Sequence, residues 1–179
     1  MLSNTFHTRW STCASTATTS LTCTTARPVS RGPRPSNRYP IRFSRENRGY
    51  DIWGYKDGLD FMGDDIAEYD EVILANDTWF GPVRPFGPVF DRMDSTALHF
   101  WGMTDHVRVE PNPFTLDGYL PYHLQSYWLG ARRELVQSEE WRSYWRDLPS
   151  MDTYSDAVVK HEGTFTEWLV DRGFLGEVA

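Results

Sequence analysis

The first 45 residues of this 179-residue chain contain no aspartate or glutamate; Glu46 is the first acid. The same stretch holds seven arginines, Arg9, Arg27, Arg31, Arg34, Arg38, Arg42 and Arg45. All 25 acids therefore lie in the remainder, against the other 11 of the 18 basic residues. A body so acidic argues against nucleic acid as a main partner, because phosphate backbones are held by basic faces. Cysteine is nearly absent: Cys13 and Cys23 are the only two, and both precede the body. That leaves no support for a disulfide framework or a cysteine zinc site, and it is compatible with a reducing compartment. No apolar run approaches the ~20 residues of a spanning helix. Any work at a membrane then goes through its surface or through other subunits. A serine nucleophile elbow, a phosphate-binding P-loop, a HExxH pair and internal repeats are also missing.

Aromatic side chains, by contrast, are plentiful: eight Trp, nine Tyr and ten Phe. Most are expected in a packed core, with a minority free to stack on sugar rings. The length suits one core rather than two ordinary domains. Residues 1–40 form one compositional unit rich in Ser, Thr, Arg and Pro, with no hydrophobic periodicity. Such a segment cannot bury enough apolar area to offset its ordering entropy. It reads as a disordered leader or a mis-assigned start, with an Arg- and Ser-rich targeting peptide as the functional alternative. Residues 41–176 read as the folded domain, of α/β class.

Within that domain, Pro40–Phe43 reads as a short strand. Ile52, Tyr55, Leu59 and Met62 share one face of a helix ending near Gly63. Val72–Ala75 is short, apolar and continuous, as a strand covered on both faces should be. A helical turn or two is expected over Val89–Met93, and strands over Ala97–Met103 and His123–Leu129. Ser138 caps a helix carrying Trp141, Tyr144 and Trp145 on one side, stopped by Pro149. A last helix spans Tyr154–Arg172, with Gly173 at its C-terminal end.

Candidate chemistry sits where these elements end. Asn47, Gly49 and Asp51 occupy a turn that enters a helix, where Gly permits a positive φ and the helix N-terminus favours anions. Asp51, taken alone, reads better as a plain N-cap, and Lys56, one turn on, reads as a phosphate neutraliser or a solvated lysine. Asn76 and Asp77 finish an apolar strand with two polar groups, which packing explains poorly. Asp77 could bind a divalent cation bridging a diphosphate, and Asn76 a sugar or ribose; the competing reading is an Asx-turn into Thr78. Asp105 and His106 follow the next strand in the same way: Asp105 could accept an acceptor hydroxyl's proton and His106 act as a metal ligand or general base, against the competing reading of a structural pair. His123 and Gln125 alternate on one strand face and could line a sugar pocket. A pair of carboxylates acting as a glycosidase is a further composition-level possibility.

These blocks, taken in order, resemble the rhamnan synthesis protein F family. Glu46–Asp51 followed by Tyr55–Leu59 is similar to its opening "N-x-G-x-D … K-x-G" block. Tyr69–Pro82 is similar to its strand ending in "ND-S … GP". Phe100–Thr104, His123–Trp128, and Glu162 with Thr166 before Gly173-Phe174 resemble its later blocks. The resemblance implies a GT-A-like mixed sheet flanked by helices. It also implies glycosyl transfer in cell-surface polysaccharide synthesis, with rhamnose from a nucleotide-sugar donor as the type activity and a glycan as acceptor. Carried over, it places Asn47, Gly49, Asp51, Lys56 and Asn76 near the nucleotide. Asp77 becomes the group that steadies the diphosphate, with or without Mg or Mn, and Asp105 or His123 the acceptor contact or base. The chain departs from the pattern twice. Asn76-Asp77 offers one carboxylate where Asp-x-Asp is usual, and the leader stands where the first strand-helix-strand of the nucleotide-binding unit belongs. The resemblance therefore implies an N-terminally truncated member, weak or inactive alone, working in the cytoplasm at the inner face of a membrane through other subunits. The rival class is a non-catalytic carbohydrate-binding or assembly subunit.

Overall fold

The computed structural model describes residues 23–28, 45–46 and 48–179. The strand expected over Pro40–Phe43, most of the leader and the candidate Asn47 lie outside them. In chain order the elements are β1 (Cys23–Pro28), α1 (Tyr50–Met62), a 3-10 turn (Gly63–Glu68), β2 (Tyr69–Ala75), α2 (Gly87–Asp94), β3 (Phe100–Gly102), β4 (Asp105–His106) and β5 (His123–Leu124). Then come β6 (Trp128–Arg132), α3 (Arg133–Val136), α4 (Glu139–Arg146), α5 (Tyr154–Ala157), a π-helical turn (Val158–Glu162), α6 (Gly163–Val170) and β7 (Gly176–Val178).

Five strands form one mixed sheet in the order β1-β2-β6-β3-β7. The β1–β2, β2–β6 and β3–β6 pairs are antiparallel, and β3–β7 is parallel. The expected mixed α/β class is what the chain adopts, with β4 and β5 forming a separate two-stranded ribbon. The apolar run in β2 is buried on both faces, but between antiparallel neighbours. Val72 and Leu74 point into the larger core with Ile52, Tyr55, Leu59, Trp141, Tyr144, Trp145 and Phe165. Ile73 points the other way, into a second cluster with Met93, Leu98, Trp101 and Trp128. The period-2 alternation of a strand produces this split. Most of the aromatics are spent here, as expected: Trp101, Trp128, Tyr55 and Phe100 are all at most 1% exposed.

Helix boundaries follow local chemistry. The Ser138 hydroxyl accepts from the Trp141 backbone N–H at 3.1 Å, capping α4. Thr153 and Asp156 form a reciprocal capping box at the start of α5, each satisfying the other's backbone N–H at 3.1 Å. The last helix is not uniform: its middle is π-helical over Val158–Glu162. Gly173, at φ 87°, terminates it. The single strand expected over His123–Leu129 is two strands, β5 and β6, separated by Gln125–Tyr127.

Candidate functional site

Gly49 opens α1 in the left-handed region, φ 66° and ψ 24°. A Cβ there would lie 2.3 Å from the Trp53 side chain, so the position needs glycine for space as well as for φ. Because Gly49 itself serves as the cap, Asp51 is not the N-cap. Its carboxylate instead accepts a hydrogen bond from the Asn76 side-chain amide at 2.6 Å. That contact ties the first turn of α1 to the carboxyl end of β2.

Asn76 is a junction. Its backbone N–H donates to the Tyr127 carbonyl at 3.1 Å, and its own carbonyl accepts from the Trp79 indole at 2.9 Å. Its side-chain oxygen accepts from the Thr78 backbone N–H at 3.1 Å and the Thr78 hydroxyl at 2.9 Å, an Asx-turn. The Asx-turn and the reach across to the helix turn are therefore both present, one on each end of the amide. Asp77, next in sequence, is exposed. Burial pushes the Asp51 carboxyl above its usual range; the Asn76 amide opposes this, and the nearby Asp77 charge adds to it.

Tyr55, one turn along α1, is fully buried, and its hydroxyl donates to the Ser126 carbonyl at 3.0 Å. Burial raises its phenol well above the ordinary value, and the charges of Asp51, Glu162 and Asp77 add to that. The first turn of α1, the residues just after β2 and the last helix thus each contribute an acid whose charge acts on this phenol. Glu162 accepts from both the backbone N–H (2.8 Å) and the hydroxyl (3.0 Å) of Ser126. One helical turn on, the Thr166 hydroxyl accepts from the Leu124 backbone N–H at 2.9 Å. The Gln125–Tyr127 turn is held by Tyr55, Glu162 and Asn76 together. In the sequence Tyr55 stands out as part of an apolar helix face and of a family block, and Ser126 as part of another block; neither signals these hydrogen bonds. Their roles were invisible because the partners lie 71 and 36 residues apart. The four-residue spacing of Glu162 and Thr166 was the one usable signal.

The remaining candidates form a second group on the β4–β5 ribbon. Asp105 is exposed and accepts from the Tyr122 hydroxyl at 2.9 Å; partial burial and that carboxylate push the Tyr122 phenol up to about 12. His123 is 2% exposed, its Nδ1 lies 2.7 Å from the Pro121 carbonyl, and its ring stacks on His106 at 5.3 Å. Gln125 does not share a strand face with it: it sits in the following turn, with its Oε1 2.6 Å from the Thr104 hydroxyl. Lys56 is paired within α1, 3.2 Å from Asp60. Among the described residues no three His, Cys, Asp or Glu side chains converge to hold a metal ion. Nor, among them, is any helix long and apolar enough to cross a membrane.

Comparison with known proteins adds the family. The rhamnan synthesis protein F family matches residues 42–179. Virulence protein VirA of Vibrio anguillarum is 31% identical over 98 residues, covering 54% of this chain and 27% of that protein. The uncharacterized protein y4gN of Sinorhizobium fredii is 24% identical over 130 residues, covering 73% of this chain and 32% of that protein. The chain thus spans about a third or less of the length of these relatives. No solved structure matches it. The chain belongs to the rhamnan synthesis protein F family.

Proposed function

We propose that this member of a polysaccharide-synthesis family is a GT-A-like glycosyl-transfer module that brings a nucleotide sugar to a glycan acceptor. The reading rests on one observation above all: the Asp51–Asn76 bond, which sets a glycine-opened helix start beside the exposed Asp77. Helix N-termini suit anions, and a diphosphate leaving group is the anion this chemistry requires. In the reaction an acceptor hydroxyl attacks the anomeric carbon of the donor. A carbon–oxygen bond to the acceptor forms as the bond to the diphosphate breaks, and the nucleoside diphosphate leaves with the electron pair.

In this scheme Gly49 lets the backbone approach the phosphates and Asp77 steadies the leaving group. A magnesium or manganese ion held at Asp77 would take its other ligands from diphosphate and water, as such ions commonly do. Asp105, exposed on its ribbon, takes the acceptor proton. His123, buried with Nδ1 engaged, orients that ribbon. The transferred sugar is proposed to be rhamnose or a related hexose, and the 179-residue chain is expected to turn over weakly by itself. Work at the inner face of a membrane would go through other subunits.

Asp77→Asn is the test, by calorimetric titration with a nucleotide-linked rhamnose and by release of nucleoside diphosphate. The reading expects donor affinity and turnover to fall together while saccharide binding persists. Unchanged donor binding would favour the non-catalytic carbohydrate-binding or assembly role. Asn76 supports that second reading, because most of its hydrogen-bonding groups are spent inside the protein.

A further inference from the structure

Between Asp77 and Asp91 the chain carries no acid, and its one charged side chain there is Arg84. Trp79 and Phe86 pin the base of this loop. Their rings meet edge-on at 5.8 Å and lie 5.7 and 4.9 Å from the buried Trp128 ring. The Trp79 indole N–H also donates to the Asn76 carbonyl at 2.9 Å. Between these anchors every one of residues 80–85 is exposed. Pro82 and Pro85 stiffen the stretch, so little backbone entropy is left to lose on docking. Phe80 is 96% exposed and Val83 83% exposed. Among the described residues Arg84, between them and Pro85, forms no ion pair.

The loop is therefore an apolar tip with one cation beside it, on a braced base. Apolar side chains left together in water mark a surface that binds something. Size narrows the occupant. A stable protein–protein interface takes about 800 Å² from each partner. A protruding Phe and Val offer roughly 300 Å², well short of that. A lipid surface needs no matching face: it takes up apolar side chains singly just below its headgroups, and aromatic rings favour that depth. Charge points the same way. The body of this protein is strongly acidic, and phosphate headgroups repel acids. The acid-free loop is a part of the body that can approach them, and an arginine stem can run along the apolar boundary with its guanidinium among the phosphates.

We infer that this loop seats the protein directly on a phospholipid surface: Phe80 and Val83 enter the apolar boundary while Arg84 pairs with headgroup phosphates. The chain makes this contact itself, which goes beyond the association through other subunits proposed above. Phe80 lies three residues after Asp77, so docking holds the proposed transfer site at the lipid face. That consequence rests on the transfer reading; the lipid contact does not.

Flotation of the 179-residue protein with phosphatidylcholine vesicles containing phosphatidylglycerol, at millimolar lipid, tests it. Wild type should float with the vesicles. Phe80→Ser should lower the partition about tenfold, the scale of one aromatic side chain leaving an apolar phase. Arg84→Gln should lower it about fivefold, the scale of one basic residue at an anionic surface, and Phe80→Trp should retain it. Both side chains are exposed, so these variants test the contact without disturbing the core. Absence of flotation, or equal flotation of wild type and Phe80→Ser, overturns the proposal. So does Phe80-dependent self-association in sedimentation velocity without lipid binding, since the loop would then be a protein contact. Phe80-dependent flotation alongside unchanged donor binding in Asp77→Asn leaves the lipid contact standing and removes the transferase reading.

Discussion

His161 offers a quantitative test of the larger core. It is fully buried in the π-helical turn, against Trp145 and Phe165 at 5.4 and 5.2 Å. Its Nδ1 lies 2.8 Å from the Tyr144 hydroxyl, and among the described residues its Nε2 has no hydrogen-bond partner. Burial pushes this imidazole from 6.5 down to about 3, because a charge there would lack both solvent and a counter-ion. The folded state therefore holds His161 neutral where the unfolded chain would protonate it. The stabilising effect is complete above the unfolded value of 6.5 and is lost as pH falls from there toward 3. Each pH unit well inside that window costs about 1.4 kcal/mol, so between pH 7 and pH 4 this one group removes about 3 kcal/mol. Urea unfolding followed by tryptophan fluorescence at a series of pH values measures it. His161→Phe fills the ring's place without a titrating group. It loses the Tyr144 bond, which lowers stability by a roughly pH-independent amount. The wild-type curve should then fall about 3 kcal/mol more steeply than the variant's over this range. Parallel curves would refute the reasoning, because they would mean that His161 binds its proton equally well in both states.

Three further substitutions probe the candidate site. Asn76→Ala removes the Asx-turn and the amide bond to the Asp51 carboxylate, and should cost about 2–3 kcal/mol in chemical denaturation; a cost under about 0.5 kcal/mol would show that the junction does not hold the helix start to β2. Gly49→Ala places a Cβ against Trp53 at φ 66° and should cost about 1–3 kcal/mol, whereas Gly118→Ala, at a similar φ of 64° with open space around it, should cost less; equal melting points for the two would argue against the close approach. Glu162→Ala leaves the Ser126 backbone N–H without its carboxylate and should cost about 1.5–3 kcal/mol; hydrogen exchange at Ser126 should quicken, and unchanged protection there would contradict the clamp.

Local signals made several elements legible from residues alone. A glycine turn before an apolar helical stripe predicted α1, which runs Tyr50–Met62. The unbroken apolar run predicted a doubly covered β2, and Ser138 predicted the cap of α4. Asp51, Asn76 and Asp77 were selected separately, and the fold sets Asp51 and Asn76 side by side. The surroundings of His123 were not legible: an alternating run places it on a strand face, and only the ribbon shows that it is buried against the His106 ring.

Sequence alone determined what a single turn or strand can settle: the periodicities, the caps, the acid-poor leader and the family blocks. Tertiary structure decided the rest. It broke the His123–Leu129 run at Gln125–Tyr127, paired β2 antiparallel on both sides, and converted Tyr55 from a core filler into one of the supports of that turn. The reason is physical. Hydrophobic patterning specifies which face of an element is buried, whereas a hydrogen bond between groups 36 or 71 residues apart is decided only when the packed elements bring donor and acceptor within 3 Å.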